Sequence, residues 1–221
     1  MCDIMWISVD WGNSGFRMWI VDDGPQPSVA GSWQTEDGAF AAYRRWKAGN
    51  GESSQSDAMR AELARLIRDG LAANGIRSQD LPILVSGMAS SSIGIEILPY
   101  ATCPFDLDGR DAILKTYPPD DTASFLFHVV SGLRGASSMM RGEETILVGL
   151  HAQHPEWFAG PVRVVMPGTH SVHVDVEDGR VTDITTYMTG ELFGLLRRHG
   201  LLTQSVTREP LPDAGGLTAD F

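Results

Sequence analysis

Apolar and polar positions alternate in two widely separated stretches of the chain, and the two stretches are built alike. Ile4 to Asp10 is apolar and alternates towards its end with Ser8 and Asp10, the period of a half-buried strand. Trp11-Gly12-Asn13-Ser14-Gly15 interrupts it as a turn, Phe16 to Val21 resumes as a second strand, Asp22-Asp23-Gly24 is a hairpin turn, and Ser28 to Trp33 offers a third strand. The order returns at Val162 to Met166, a turn at Pro167-Gly168-Thr169, His170 to Val176, a hairpin turn at Glu177-Asp178-Gly179, and Val181 to Tyr187. To within one residue, the spacing that separates Gly12 from Gly168 also separates Gly24 from Gly179. Any two meanders share such a pattern; a small-residue turn at the matching point of both favours an internal duplication.

Between the meanders the period changes to that of helices. Met59, Leu63, Leu66, Ile67 and Leu71 form one apolar face, with Ser56 as candidate N-cap and Asn74-Gly75 as a stop. Ile83-Leu84-Val85 reads as a short buried strand leading into the small-residue loop Gly87-Met88-Ala89-Ser90-Ser91-Ser92, and Val129-Val130 ends another strand. Met139 to His151 is predicted as a helix with Ile146, Leu147 and Leu150 inward, and Glu191 to His199 as a last helix between Thr189 as N-cap and Gly200 as C-cap. The polar run around Gly49-Asn50-Gly51-Glu52-Ser53-Ser54 is read as loop. The class is α/β, with a first unit over 1–125 and a second over 126–221. A further pair of βα units needs roughly 30 residues each. Residues 201–221 do not supply them, so the second unit is expected to be reduced or truncated.

Composition removes several alternatives. With 17 Lys and Arg against 28 Asp and Glu the formal charge is −11, which repels phosphate backbones and anionic membranes, so neither nucleic acid nor membrane is an expected partner. Any anionic ligand must be held by local groups against that field. Cys2 and Cys103 are too few for a disulfide framework or a cysteine-rich zinc site. Cys103, with no motif around it, reads as a small core residue. The first residues lack a signal-peptide pattern, and a reduced, soluble, cytoplasmic protein is expected.

Three clusters can carry chemistry. Asp10-Trp11-Gly12-Asn13-Ser14-Gly15 places an Asp at a strand end before a glycine turn. Such turns bring backbone N–H groups to a phosphate, and the Asp suits Mg²⁺, which takes few carboxylates and keeps its waters. The plain alternative is a hairpin whose Asp accepts turn N–H groups. Pro167-Gly168-Thr169-His170 is its counterpart, and the two turns would hold one polyphosphate from both sides of a cleft. Arg141-Gly142-Glu143-Glu144-Thr145 opens an otherwise apolar helix. Its carboxylates suit a helix N-terminus, and equally a base that orients a hydroxyl, with Arg141 pairing an anion. His170 and His173 point to opposite faces of one strand and cannot share a metal.

These segments, with Ser86-Gly87-Met88, Met166-Pro167-Gly168-Thr169-His170 and Met188-Thr189-Gly190-Glu191-Leu192, occur in an order that closely resembles the 2-dehydro-3-deoxygalactonokinase family, over residues 4 to about 202. The resemblance implies duplicated RNase-H-like domains of the actin-like, hexokinase-like ATPase superfamily facing a cleft, the second incomplete here. It implies transfer of the ATP γ-phosphate to the 6-hydroxyl of 2-dehydro-3-deoxy-D-galactonate in galactonate breakdown. Asp10 then organises Mg²⁺, while Gly12, Asn13, Ser14, Gly168, Thr169 and His170 contact the nucleotide phosphates. Glu143 is the base, with Glu144 the alternative. Arg17 and Arg141 are candidates for the substrate carboxylate, and Gly87 and Met88 for the substrate cleft. Partners are a small sugar acid and, as an assembly, a homodimer. The family's chains continue beyond the Thr189-Gly190-Glu191 helix, so the adenine pocket is expected to be absent here and ATP to bind weakly with little preference over GTP. The alternatives are a weak or inactive remnant acting as a binding protein, and another sugar kinase of the superfamily.

Overall fold

The computed structural model describes residues 5–24, 27–49, 53–77 and 81–204. Of the positions named above, Cys2, Ile4, Asn50 to Glu52 and everything after Gln204 lie outside the described residues.

The first sheet grows from its most apolar strand. β1 (Met5–Trp11) buries Ile7, Val9 and Trp11 on one face, and β2 (Phe16–Asp22) answers with Phe16, Met18 and Ile20. The two pair antiparallel, with Asp10 opposite Arg17, and β3 (Ser28–Thr35) adds the third strand of the meander. Two helices follow, α1 (Ala39–Ala48) and α2 (Gln55–Ala73). The predicted face of α2 is fully inside, but its cap is Ser54 rather than Ser56: the Ser54 hydroxyl accepts from the Asp57 N–H at 3.1 Å. α1 has no counterpart among the elements expected from the sequence. Only Ala39 and Ala42 of it are buried, and Gly38 caps it without a side-chain bond, so neither an apolar stripe nor a capping residue announces it.

β4 (Ile83–Gly87) returns parallel to β1, which sets Ser86 beside Asp10 and Gly87 beside Trp11. After the two-residue strands β5 (Ala101–Thr102) and β6 (Phe105–Asp106), β7 (Leu114–Tyr117) and β8 (Phe127–Val130) complete a six-stranded sheet in the order β3-β2-β1-β4-β8-β7. An antiparallel meander followed by strands parallel to its first member is the RNase-H-like arrangement expected. Phe125, Phe127 and Val129 all pack in the core beneath this sheet, so the expected boundary at residue 125 falls inside one packed run.

β9 (Leu133–Arg134) and β10 (Met139–Met140) form a small sheet with β5. Because Met139 and Met140 pair with Arg134 and Leu133, the predicted helix cannot begin there: α3 runs Glu143–Gln153. Leu147 is buried on it, whereas Ile146 is 55% exposed rather than inward. The second meander is β11 (Val162–Met166), β12 (Ser171–Glu177) and β13 (Arg180–Tyr187), antiparallel throughout, turning at Asp178-Gly179. It lies in its own sheet, ordered β11-β12-β13-β6, over a second core that includes Phe105, Leu107, Leu133, Leu147, Val174 and Ile184. α4 (Thr189–His199) is capped by Met188 rather than Thr189, ends at Gly200 as predicted, and buries no residue. No helix among the described residues is long and apolar enough to cross a membrane.

Candidate active site

Parallel pairing of β1 with β4 brings two chain segments, more than seventy residues apart, to the same strand ends. This is where ligands bind in open α/β sheets. Gly87 ends β4 at φ +83°, and a Cβ there would stand 2.7 Å from the Trp11 carbonyl oxygen and 3.1 Å from Asp10 Oδ1. Only glycine lets the backbone pass so close to the Asp. Gly142, at φ +106°, approaches from the other side: a Cβ on it would lie 3.5 Å from Gly87 Cα and 3.9 Å from Asp10 Oδ1. The approach of Gly142 to Gly87 thus brings the start of α3, and with it Glu143, towards Asp10.

The two carboxylates at that start have different surroundings. Glu144 is 3% exposed, and both its oxygens accept from the Gly142 N–H, at 2.8 and 3.0 Å. Thr145 Oγ1 donates to it at 3.3 Å. Burial pushes the Glu144 carboxyl up to about 8, and the neighbouring Glu143 adds to the rise. Glu143 is half-buried, and its Oε2 accepts from the Arg141 N–H at 2.9 Å. Burial also lifts its carboxyl above the usual range, with the Asp10 charge contributing. Glu143 is therefore the member of the pair that senses Asp10, while Glu144 closes the N-terminal turn of its own helix.

Asp10 Oδ2 accepts from Arg17 Nη1 at 2.9 Å, in an ion pair that is largely exposed. Asp10 Oδ1 makes no hydrogen bond among the described residues. The Gly12 to Ser14 turn is closed by the Gly12 N–H donating to the Gly15 carbonyl at 2.9 Å, and leaves Asn13 and Ser14 exposed. Its carbonyls accept from the start of α1, Gly12 from the Ala39 N–H and Asn13 from the Phe40 N–H. A Cβ on Gly38 would strike the Asn13 carbonyl. The Gly168-Thr169 turn is held the same way: the Thr169 carbonyl accepts from the Glu191 N–H at 2.9 Å, and a Cβ on Gly190 would strike the Gly168 carbonyl. No sequence pattern marks Gly38, and Gly190 stands out only as part of the Met188-Thr189-Gly190-Glu191-Leu192 motif. An isolated glycine ahead of a helix has no local signature, and the clash that demands it is with a turn far along the chain.

The remaining candidates fall as follows. His170 precedes β12 and its Nε2 lies 2.6 Å from Glu191 Oε2, so it braces the second turn against α4. His173 packs edge-on against Tyr187, 4.7 Å between ring centroids. Met88 is half-buried and follows Gly87 directly. Arg141 Nη1 donates to the carbonyl oxygen and, at 2.6 Å, to the hydroxyl of Ser90. Cys103 packs partly buried against the second core, and burial raises its thiol to about 11, which fits the reading of an unreactive core residue. Each of the two glycine turns lines a cavity. One of about 680 Å³ lies between Gly12, Ser14, Arg17 and Thr35, and one of about 480 Å³ between Gly168, Thr169, Glu191 and Arg198. No group of three or more His, Cys, Asp or Glu side chains that could hold a metal ion occurs among the described residues.

Comparison with known proteins decides which family uses this arrangement. The family model described as 2-keto-3-deoxy-galactonokinase matches residues 10–219. The chain belongs to this family. It is 33% identical over 215 residues to a Rhizobium meliloti protein named "Probable 2-dehydro-3-deoxygalactonokinase DgoK1", covering 94% of this chain and 61% of the relative. Against the Escherichia coli 2-dehydro-3-deoxygalactonokinase it is 28% identical over 201 residues, covering 89% of this chain and 58% of the relative. A crystal structure of a Sinorhizobium meliloti protein ascribed to the same kinase superposes with a TM-score of 0.70 at 31% identity, over 96% of this chain and 64% of that one. This galactonokinase-family chain thus spans about three fifths of the length of the curated relatives it matches.

Proposed function

We propose that the protein is a sugar-acid kinase of the cytoplasm, moving the γ-phosphoryl group of ATP to the 6-hydroxyl of 2-dehydro-3-deoxy-D-galactonate. The observation that carries this reading is the meeting of Asp10, Gly87, Gly142 and Glu143 at the ends of β1 and β4, in a chain of this family. Glu143 acts as the general base. It takes the hydroxyl proton as the sugar oxygen forms its bond to the γ-phosphorus and the bond from that phosphorus to the bridging oxygen of ADP breaks. A carboxyl lifted by burial is a stronger base than one in water, which suits this task. The backbone N–H groups of the Gly12 to Ser14 and Gly168-Thr169 turns orient the phosphates. Gly87 and Met88 border the sugar.

The donor set fits Mg²⁺: one carboxylate oxygen, Asp10 Oδ1, without a partner among the described residues and a second carboxylate, Glu143, beside it, with the remaining positions left for water and phosphate oxygens. Mg²⁺ bound there would neutralise phosphate charge. Positioning by the two turns and proton acceptance by Glu143 are the chain's own contributions. Its organisation as two units, each carrying one turn, belongs to the same proposal.

One observation favours a second reading, a protein that binds the sugar acid without transferring phosphate: the second turn is held by α4, which buries no residue. ADP release with the sugar acid, ATP and Mg²⁺ separates the two. The kinase reading expects turnover in the wild type. It expects a kcat lowered by about 10²–10⁴-fold in Glu143→Gln with little change in KM, the usual effect of losing a general base. An unchanged kcat in that variant would take the role away from Glu143, and binding of the sugar acid with no ADP release would leave the second reading.

A further inference from the structure

Two arginines compete for the carboxylate of a sugar acid, and the structure treats them differently. Arg17 is already spent on Asp10, with 56% of its side chain in solvent. Arg141 pairs with no carboxylate among the described residues. Its guanidinium lies over the face of Tyr100, 4.5 Å from the ring centroid, and Nη1 alone is used by the protein, on the carbonyl and hydroxyl oxygens of Ser90. Among the described residues Nε and Nη2 have no protein acceptor. That edge is the one that takes a carboxylate in a two-point fork.

Three contacts restrict the group. Ser90 fixes one nitrogen, Tyr100 fixes the plane, and the backbone of Arg141 is tied through its N–H to Glu143. A long, flexible cation held this way loses little further freedom on binding a ligand. Ser90 lies three residues beyond Gly87 and Arg141 immediately before Gly142, so the guanidinium is supported by the same two segments that bring Glu143 to Asp10. In a chain of charge −11, a pinned cation that pairs with no carboxylate among the described residues is suited to an anionic ligand.

We propose that Arg141 is the specificity-determining residue for the acid group of the substrate, its Nε–Nη2 edge receiving the carboxylate, with Ser90 and Tyr100 as its positioning residues. The inference rests on the sugar-acid reading above. It predicts that the protein tells a sugar acid from its uncharged counterpart through this one side chain.

The test is calorimetric binding of 2-dehydro-3-deoxygalactonate and of its neutral carboxamide to wild type, Arg141→Gln and Arg141→Lys, with thermal melting of each variant. Wild type should prefer the acid. Arg141→Gln should lose that preference by about 10–100-fold, the range for a charge-assisted hydrogen-bonded pair, while its affinity for the amide stays within about twofold. A residue that merely held the Ser90 loop in place would weaken acid and amide alike, and that result would overturn the proposal, as would an unchanged preference. Should Arg141→Gln not fold, Arg141→Lys decides. A point charge without the fork should lose about tenfold of the preference, and a preference kept in full would sink the assignment. A wild type that binds neither compound would instead remove the sugar-acid reading on which the assignment stands. Acid binding that survives with its selectivity in the variants removes Arg141 alone.

Discussion

The two glycine turns are made from the same parts and stand in differently closed surroundings. In each, a strand ends in a turn, and the turn's carbonyls accept from the first N–H groups of a helix that begins beside a glycine: Gly38 for the first, Gly190 for the second. Around the first turn the structure is closed. β1 pairs on both sides, with β2 and β4, and Trp11 and Phe16 flank the turn with no exposed surface. Around the second it is open. Among the described residues β11 pairs only with β12, and α4 leaves Leu192, Phe193, Leu195 and Leu196 between 44% and 56% exposed. Equal local chemistry therefore stands on unequal packing, and packing, rather than turn type, sets how firmly each turn is held.

Matched substitutions give the largest expected contrast. Gly38→Ala and Gly190→Ala each drive a methyl group into a backbone carbonyl. At Gly38 the neighbouring core cannot yield, and a loss of about 1–3 kcal/mol is expected, the range for overpacking. At Gly190 the unburied helix can shift, so urea unfolding should register less than about 1 kcal/mol, the cost of a local rather than a global adjustment. Equal losses would mean that the second half is as tightly held as the first.

Glu144 sharpens the comparison through pH. Its carboxyl is raised by burial to about 8 in the folded chain, against the ordinary 4.5. The folded state thus holds a proton that the unfolded state has released, and this group's contribution to stability is fullest below about pH 4.5 and is lost as pH rises towards 8. The contribution is on the order of a few kcal/mol. Glu144→Gln should flatten this part of the stability profile, and a slope equal to that of wild type would contradict the assignment. Glu143 shifts in the same direction, so the double substitution should flatten the profile further. The smallest effect belongs to the exposed Arg163–Asp175 pair on the second sheet. Asp175→Asn should leave Tm within about 1 °C, because exposed ion pairs are screened and cost side-chain entropy. A larger drop would show that the open sheet depends on its surface charges.

Alternation and turn residues determined both meanders, the Asp178-Gly179 hairpin and the apolar face of α2, because those features repeat over a few residues and need no distant partner. The motif letters likewise pointed to Asp10, Gly87, Glu143 and the two turns. What stayed hidden depended on residues far along the chain. α1 has no apolar stripe to reveal it. α3 starts at Glu143 rather than Met139 because Met139 and Met140 find strand partners in Leu133 and Arg134. Glu143 and Glu144 differ because only Glu144 turns back on the Gly142 N–H. The difference between Arg17 and Arg141 is made by Asp10 and Ser90, which occupy one and orient the other. Local patterns settle what an element can be, since backbone period and turn chemistry act between neighbours. Burial and pairing settle how two identical side chains come to differ, since desolvation and hydrogen bonding depend on what the fold brings alongside them.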